Sequence, residues 1–238
     1  MPHSVTAVIG AMDIEISLLV EQLEKRETKI FTGLRFETGK IKGRDTVIVK
    51  CGIGKVNAAR CAQAVIDRFA PDAVLHTGIG GGLAPDLHVG DAVVAETLFE
   101  HDFDVSPLGY APGCLCDSAR PKEPTAFKTD PKLSLALMRA AQSVLAGRLA
   151  RCGTIASGDQ FIADKTKKDW IRGTFGADVS EMEGGAIAHV CSLAGVPFAV
   201  IRSISDCADG SAPENYADFE KETARGSARV ILQALSLL

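Results

Sequence analysis

Four strand-like segments of this chain end in glycine or in other small and polar residues. The endings are Gly10–Asp13 (GAMD), Gly52–Gly54 (GIG), Gly78–Gly82 (GIGGG) and Ser203–Asp206 (SISD). Ligands of open α/β sheets bind beyond the carboxyl ends of the strands, and glycine at such an end lets a ligand approach the backbone closely. One such ending is commonly just a turn, but four in one chain predict a binding pocket built from strand ends.

Strand-like and helix-like patterns alternate along the chain. The patterns predict strands at 5–11, 33–41, 46–54, 73–82, 90–100, 150–159 and 197–206, and helices at 13–26, 55–69, 130–147, 165–174 and 214–236. In the first helix, Ile14, Leu18, Leu19 and Leu23 recur at the helical period. We predict that residues 101–130, rich in Pro, Gly, Cys and Asp, form a long irregular loop. The alternation predicts an α/β fold: a single domain over residues 1–238, with a mixed central β-sheet flanked by helices.

Charge and hydrophobicity exclude several kinds of partner. The formal net charge is −4 and the basic residues are scattered, so we expect no nucleic-acid partner. No run of about 18 apolar residues exists, and the N-terminus lacks a signal-peptide pattern, so we expect no membrane partner. The seven cysteines form no disulfide framework and indicate free thiols. These features predict a cytoplasmic protein.

The glycine-rich turns do not match the common cofactor motifs. The segment CGIGKVNA has Asn57 where the dinucleotide fingerprint needs its third glycine, and Val56 follows Lys55 where a P-loop needs Ser or Thr. The five histidines are dispersed along the chain. We therefore expect neither a cofactor nor a metal site.

The charged residues at the predicted strand-to-helix junctions are mostly acidic. Glu15, Glu183 and Asp206 each follow a different strand. A lone acid at such a place is most often an exposed cap, since acids favour helix N-termini. Three of them at converging junctions indicate chemistry, because carboxyl groups can protonate a leaving group, activate water and hold hydroxyls. The pattern is typical of glycosidic bond cleavage.

Six motifs occur in a fixed order: IGAMDIEISLL, CGIGKVNAA, TGIGGGLAPDLHVGD, SGDQFI, SEMEGGAIAHV and RSISDCAD. From about residue 5 to 235, the chain resembles the methylthioadenosine/S-adenosylhomocysteine nucleosidases of the nucleoside phosphorylase superfamily. The resemblance implies a nucleoside phosphorylase-like fold, with a small nucleoside and water as the reactants. It also implies a homodimer.

The resemblance implies roles for the residues of the reaction itself. Asp206 would be the general acid that protonates N7 of adenine, and Ser205 would orient its carboxyl group. Such an acid needs a raised pKa to hold a proton near neutral pH. Glu15 would be the base that deprotonates the attacking water. Arg202 would help to position the water and the carboxylates.

The resemblance also implies a set of substrate contacts. Glu183 would accept hydrogen bonds from the ribose hydroxyls, and Met182 would pack against the sugar. Phe161 would stack on adenine, and Ile162 would hold it chiefly through its backbone. The pocket for the 5′-substituent would be lined by Met12, Ile53 and Tyr216, and by Val105 and Leu108 of the neighbouring subunit. Plain core packing is the alternative for all of these apolar positions.

Three departures leave the exact substrate open. Ile79 stands where the family usually has Ser in the glycine turn, and Tyr216 stands where Phe is commoner. The loop at 109–127 is longer and more polar than expected. Futalosine and 5′-deoxyadenosine are alternative substrates, and a protein that only binds nucleosides is a further alternative.

A further alternative is a purine nucleoside phosphorylase, which cleaves the same class of substrate with phosphate instead of water as the nucleophile. Such an enzyme needs hosts for a phosphate dianion, which prefers Arg and backbone donors. The corresponding regions of this chain offer Glu15, His76 and Ile79. The sequence therefore favours hydrolysis.

Overall fold

A computed structural model describes residues 4–115, 122–208 and 212–238; at 212–215, 217 and 218 it describes the helical backbone alone. In chain order, the strands and helices are β1 (Val5–Gly10), α1 (Asp13–Glu21), β2 (Glu24–Phe31), β3 (Leu34–Ile41), β4 (Arg44–Lys50), α2 (Lys55–Phe69), β5 (Ala73–Gly82), β6 (Ala92–Glu100), β7 (Phe127–Lys128), α3 (Pro131–Val144), β8 (Ala150–Ser157), α4 (Lys165–Phe175), β9 (Val179–Glu181), α5 (Gly184–Ala194), β10 (Phe198–Asp206) and α6 (Ala212–Leu235). A short 3₁₀ turn covers Ser106–Leu108. The predicted α/β class with a mixed sheet is confirmed.

The strands form one mixed sheet that closes partly on itself. The order is β10-β6-β8-β9-β5-β1-β4-β3-β2, and β10 also pairs with β5, so five of the strands complete a ring. Strand β5 is parallel to both β1 and β10. The carboxyl ends of these three strands therefore meet at one edge of the sheet, where a ligand site is expected.

Both faces of the central strands are covered by helices. Helices α2 and α5 contribute to a core on one face, and α1, α3 and α6 contribute to a second core on the other. All residues of β5 and β10 are buried. This burial explains why these two strands begin with the unbroken apolar runs AVL and FAVI rather than with an alternating pattern.

The first helix is shorter than predicted. It ends at Glu21, and residues 24–31, whose first part was predicted as helix, form β2. Lys- and Glu-rich segments favour helix by propensity, but β2 gains a ladder of hydrogen bonds with β3. In addition, Arg26 Nε and Thr28 Oγ1 donate to Glu37 of β3 at 2.8 and 2.9 Å. Tertiary pairing therefore overrides the local preference.

Other boundaries also differ from the prediction. The strand predicted at 46–54 ends at Lys50, because Gly52 and Gly54 have φ values of 89° and 95° that a strand does not allow. The three-residue strand β9 was not predicted, and it pairs with β5 and β8. The loop predicted at 101–130 contains the 3₁₀ turn and β7, and its residues 116–121 lie outside the described part of the chain. Within the described ranges, every helix is too short or too polar to cross a bilayer.

Candidate active site

A cavity of about 340 Å³ opens at the carboxyl ends of β1, β5 and β10. Its lining is Ala11, Met12, Glu15, Ile53, Ile79, Gly80, Gly81, Gln160, Phe161, Ile162, Ser180, Glu181, Met182, Glu183, Ser205, Asp206 and Tyr216. The structure therefore brings together all the predicted site residues except Arg202, Val105 and Leu108. The three carboxyl groups singled out from the sequence reach this cavity from three separate segments.

Glu15 lies in the first turn of α1, and its side chain turns back toward the end of β1. The backbone N–H groups of Ala11 and Met12 donate to its Oε2 at 2.6 and 3.0 Å, and that of Ile79 donates to Oε1 at 3.2 Å. Burial raises the pKa of Glu15, and nearby Arg202 and the three amides oppose the shift. The result is a buried carboxyl group in a fixed orientation with increased proton affinity.

The Glu15 carboxylate occupies space that a side chain on β5 would otherwise fill. A Cβ atom at Gly78 would lie 2.6 Å from Glu15 Oε1 and 2.9 Å from Arg202 Nη1. Both distances are shorter than van der Waals contact, so only glycine at this position leaves room for the two charged groups.

Asp206 is the last residue of β10, and both of its carboxylate oxygens are held. The hydroxyl of Ser205 donates to Oδ2 at 2.7 Å, and the backbone N–H of Ala208 donates to Oδ1 at 2.8 Å. The side chain is buried, and Gly81 leaves room for it, since a Cβ there would lie 2.9 Å from Oδ1. Asp206 therefore lines the cavity in one orientation.

Glu183 occupies the N-cap position of α5, two residues after the end of β9. Its Oε1 accepts a hydrogen bond from the backbone N–H of Gly54 at 2.9 Å, and its Oε2 lies 3.7 Å from Arg202 Nη2. Burial and the neighbouring Glu181 carboxylate raise the pKa of Glu183, whereas Arg202 lowers it. Glu183 thus favours the protonated form more than an exposed glutamate does.

Arg202 lies behind the cavity wall rather than in it, and it is almost fully buried. Its Nη2 donates to Glu181 Oε2 and to His76 Nε2. Burial and the Arg202 charge lower the pKa of His76 to about 3. The neutral ring therefore accepts from Arg202 at Nε2 and donates from Nδ1 to the Ile9 carbonyl at 2.9 Å.

Glu181 is the group that sequence reasoning left without a role. Its carboxylate pairs with Arg202, bonds the Ser157 hydroxyl, and accepts the backbone N–H groups of Glu183 and Gly184 at 3.0 and 2.7 Å. Burial alone would raise the pKa of Glu181, but Arg202 and the other donors hold it well below its usual range. No local sequence pattern points to this pairing, because Glu181 and Arg202 lie 21 positions apart on β9 and β10.

One trio of side chains has the composition of a metal site. Among the described residues, His76, Glu181 and Glu183 place ligand-type atoms within 4.8 Å of one another. Arg202 Nη2 already bonds to the first two and lies 3.7 Å from the third. A guanidinium therefore supplies the positive charge that a cation would bring, and the trio does not suit a metal.

The outer part of the cavity is apolar and partly open. Phe161 is half exposed, and its ring meets the ring of Tyr216 edge-on at 5.7 Å between centroids. The Tyr216 hydroxyl donates to Met12 Sδ at 3.4 Å. Ile53 is also half exposed at the rim, whereas Ile79 and Ile162 are buried in the wall. This region can hold a flat ring and an apolar substituent.

Val105 and Leu108 lie outside this lining. Val105 is half buried, and Leu108, at the end of the 3₁₀ turn, is 71% exposed. Neither residue contributes to the cavity of its own chain.

Comparison with known proteins adds the following similarities. Residues 5–236 match the model of the phosphorylase superfamily. The 5′-methylthioadenosine/S-adenosylhomocysteine nucleosidase of Geobacillus thermodenitrificans is 39% identical over 98% of this chain and 96% of its own length. The enzyme of that name from Tolumonas auensis is 38% identical over 97% of this chain and 98% of its own.

Solved structures show the same similarity. The Neisseria meningitidis nucleosidase of that name, in complex with methylthio-immucillin-A, has a TM-score of 0.92 and 37% identity, covering 99% of this chain and 100% of its own. The futalosine hydrolase of Helicobacter pylori has a TM-score of 0.90 and 30% identity, with 99% of each chain covered.

Proposed function

The chain belongs to the 5′-methylthioadenosine/S-adenosylhomocysteine nucleosidases of the phosphorylase superfamily, and we propose that its cavity hydrolyses the N-glycosidic bond of 5′-substituted adenosines. The enzyme is an N-glycosidase, with 5′-methylthioadenosine and S-adenosylhomocysteine as substrates and adenine and the 5-substituted ribose as products. One observation carries this proposal: Glu15, Glu183 and Asp206 are all buried and line one cavity.

Asp206 protonates N7 of adenine as the glycosidic bond breaks. Proton transfer makes the leaving group a neutral base instead of an anion, which lowers the barrier to bond cleavage. The bonds from Ser205 and Ala208 support this role, because they fix both carboxyl oxygens in one orientation. A serine hydroxyl can donate or accept, so Ser205 can bond either protonation state of Asp206.

Glu15 takes the proton from the attacking water. Its raised pKa supports this role, since a base with a pKa closer to neutral accepts a proton more readily. Three backbone amides hold the carboxylate toward the cavity and limit its rotation. The water then adds to the sugar carbon that adenine leaves.

Glu183 accepts hydrogen bonds from the ribose 2′- and 3′-hydroxyls, and Met182 packs against the sugar. Bonds from the hydroxyls favour the ionised form of Glu183, so substrate binding lowers its raised pKa. The resulting negative charge stabilises an oxocarbenium-like transition state. Arg202 holds Glu181, and through it the start of α5, in place behind this contact.

The apolar residues of the cavity contact the two remaining parts of the substrate, the adenine and the 5′-substituent. Phe161 stacks on adenine, and the Ile162 backbone holds the edge of the base. Met12, Ile53 and Tyr216 surround the 5′-substituent, whose thioether suits these largely apolar side chains. Ile79 lies beside Glu15, toward the ribose and the water.

Water is favoured over phosphate by the charges around the cavity. No Lys or Arg occurs among the residues that line it in the described part of the chain. The neighbouring guanidinium, Arg202, is already bonded to Glu181 and His76. A phosphate dianion would therefore meet carboxylates without a free guanidinium to bind it.

We further propose that the enzyme is a cytoplasmic homodimer that serves methionine salvage. Val105 and Leu108 of each subunit complete the 5′-pocket of the other, a role supported by the exposure of Leu108 in the single chain. Sedimentation of the wild type and of Leu108→Glu tests this assembly. We expect a dimer for the wild type and a weakened dimer with poorer substrate binding for the variant.

The decisive experiment measures base release from 5′-methylthioadenosine, S-adenosylhomocysteine, 5′-deoxyadenosine and futalosine, with and without phosphate. We expect adenine and free sugar from the first two substrates, with no dependence on phosphate. Formation of a ribose 1-phosphate would instead assign a phosphorylase.

Futalosine is the second candidate substrate, and two observations favour it. The chain is 30% identical to the futalosine hydrolase of H. pylori. In addition, Tyr216 places a hydroxyl beside the proposed 5′-pocket. A higher kcat/KM for futalosine than for 5′-methylthioadenosine would make this candidate the main activity.

A further inference from the structure

The N-terminus of α2 lies between the segments that we assign to the ribose and to the purine. The backbone N–H of Gly54 donates to Glu183 Oε1 at 2.9 Å, and the next one, of Lys55, donates to Asp159 Oδ1 at 2.7 Å. The N-cap residue, Gly54, has no side chain to cap the helix itself. Carboxylates from two distant segments therefore bind two successive amides at this helix end.

Asp159 connects this helix end to a third segment. It lies two residues after β8 and two residues before Phe161. Its carboxylate bonds to α2, and its backbone N–H donates to Asp102 Oδ2, in the segment after β6, at 2.8 Å. An acid at this place is favoured because helix N-termini carry partial positive charge and unpaired donors.

The Lys55 side chain links the start of α2 to Glu100 and Asp102, at the end of β6 and just after it. The helix dipole disfavours a cation in the first turn of a helix, so the Lys55 charge needs nearby carboxylates to stabilise it. Lys55 Nζ bonds Glu100 Oε2 at 2.9 Å and Asp102 Oδ1 at 2.6 Å. The side chains of all three are at most 17% exposed. Asp102 therefore binds both the Lys55 side chain and the Asp159 backbone.

Gly54 is required for this close approach. It has a φ of 95°, and a Cβ there would lie 2.9 Å from Asp159 Oδ1. A larger residue would push the carboxylate away from the helix end. Both the positive φ of Gly54 and its short distance to the Asp159 carboxylate therefore require glycine at this position.

We infer that Asp159 is a positioning residue that holds the Phe161 segment at a fixed place relative to Glu183, through the first amides of α2. Asp159 acts through Phe161 and α2 and is not itself assigned a contact with substrate. The inference rests on the proposed function, since it assumes that Phe161 binds the purine. Lys55 and Asp102 support the same arrangement from the side of β6.

The test compares Asp159→Ala with Asp159→Asn. Alanine removes the acceptor, whereas asparagine keeps an oxygen that can accept from Lys55 N–H. We expect Asp159→Ala to raise KM for 5′-methylthioadenosine and Kd for adenine about tenfold, or about 1.4 kcal/mol. We expect kcat to stay within about twofold and Asp159→Asn to restore most of the binding.

Asp130→Ala is the matched control. Asp130 caps α3 by accepting the backbone N–H groups of Lys132 and Leu133 at 2.9 and 3.0 Å, away from the cavity. Both alanine variants should lower Tm, but only Asp159→Ala should weaken adenine binding. Lys55→Met gives a second measurement, because it removes the ion pairs and keeps the Lys55 amide; it should also raise KM.

Hydrogen exchange of the unliganded protein separates this inference from the proposed function. We expect faster amide exchange over residues 158–163 in Asp159→Ala and unchanged exchange there in Asp130→Ala. Failure of the wild type to release adenine would overturn the function alone, since exchange does not depend on turnover. Unchanged amide exchange over residues 158–163 in Asp159→Ala would overturn the positioning role. If the wild type is active, unchanged adenine binding by Asp159→Ala would overturn it as well.

Discussion

Glu181 and Glu183 lie two residues apart beside the same guanidinium, yet their pKa values shift in opposite directions. Arg202 Nη2 forms a direct ion pair with Glu181, while Glu183 Oε2 is 3.7 Å from it. Burial favours protonation of both carboxyl groups, but Arg202 holds the pKa of Glu181 low, whereas burial and the Glu181 charge raise the pKa of Glu183. Divergent pKa values in a buried pair indicate separate roles. Glu181 anchors the arginine, whereas the proposed function assigns Glu183 to the ribose hydroxyls.

Glu183→Gln should stabilise the protein increasingly as pH rises. The folded-state pKa of Glu183 lies above the unfolded value of about 4.5, so its contribution to stability is present below that pH and is lost as pH rises toward the folded value. The neutral amide of the variant does not titrate and has no such loss. We expect Tm of the variant to exceed that of the wild type by about 2–4 °C near pH 8.

The control for this experiment is the same pair of proteins near pH 5, where the difference in Tm should be small. Thermal unfolding monitored by circular dichroism gives both values. A Tm difference that is constant across this pH range would contradict the raised pKa of Glu183.

Glu181→Gln should destabilise the fold strongly. The change removes the charge that pairs with Arg202 and leaves a buried guanidinium without its direct partner, a loss typically costing about 3–5 kcal/mol. Arg202 is then expected to turn toward Glu183 and lower its pKa. Urea unfolding measures the free energy of unfolding. A loss below about 1 kcal/mol, the range of a surface ion pair, would show that the pair contributes little.

Asp206→Asn should leave the fold intact and lower kcat for 5′-methylthioadenosine by about 10²–10⁴-fold, because the amide cannot deliver a proton to N7. Asparagine keeps the size of the side chain and an oxygen for the Ala208 N–H. Adenine release measures kcat. Asp86→Asn, at an exposed partner of Arg151, is the control and should turn over normally. Near-normal turnover by Asp206→Asn would remove Asp206 from the acid role.

Glu15→Gln should abolish hydrolysis while substrate binding remains, since the amide cannot take a proton from water. In the wild type, kcat/KM should fall as pH drops through the raised pKa of Glu15. The acidic limb should therefore lie above pH 4.5, the ordinary value. Single-turnover kinetics of the variant and a pH profile of the wild type measure these effects. Retained turnover by the variant would assign the base to another group.

The sequence predicted the elements that carry strong periodic or apolar signals. Helix α2 and strand β5 have the predicted boundaries, and β10 ends at Asp206 as expected. Strand β2 was missed because its side chains are nearly all exposed and five of the eight are charged, which leaves no alternation to detect. Strand β9 is too short for any pattern.

The sequence pointed to individual residues of the candidate site but not to the contacts between them. The acids at Glu15, Glu183 and Asp206 stand out because they follow strands. The pairing of Glu181 with Arg202, by contrast, joins residues on β9 and β10, and the bond between Lys55 and Asp159 spans 104 positions. Such contacts arise only when the sheet brings its strand ends together, and a local sequence pattern does not contain them.

The glycine at position 78 limits how the substrate range of this enzyme can be changed. Because Glu15 and Arg202 fill the volume above Gly78, mutations on β5 that enlarge this residue disrupt the charged groups before they reshape the pocket. Altered specificity for the 5′-substituent is therefore expected from the side chains proposed to surround it, of which Met12, Ile53 and Tyr216 stand on three separate segments. Libraries for new 5′-substituents are best confined to these positions, whose side chains can vary while Gly78, Glu15 and Arg202 stay unchanged.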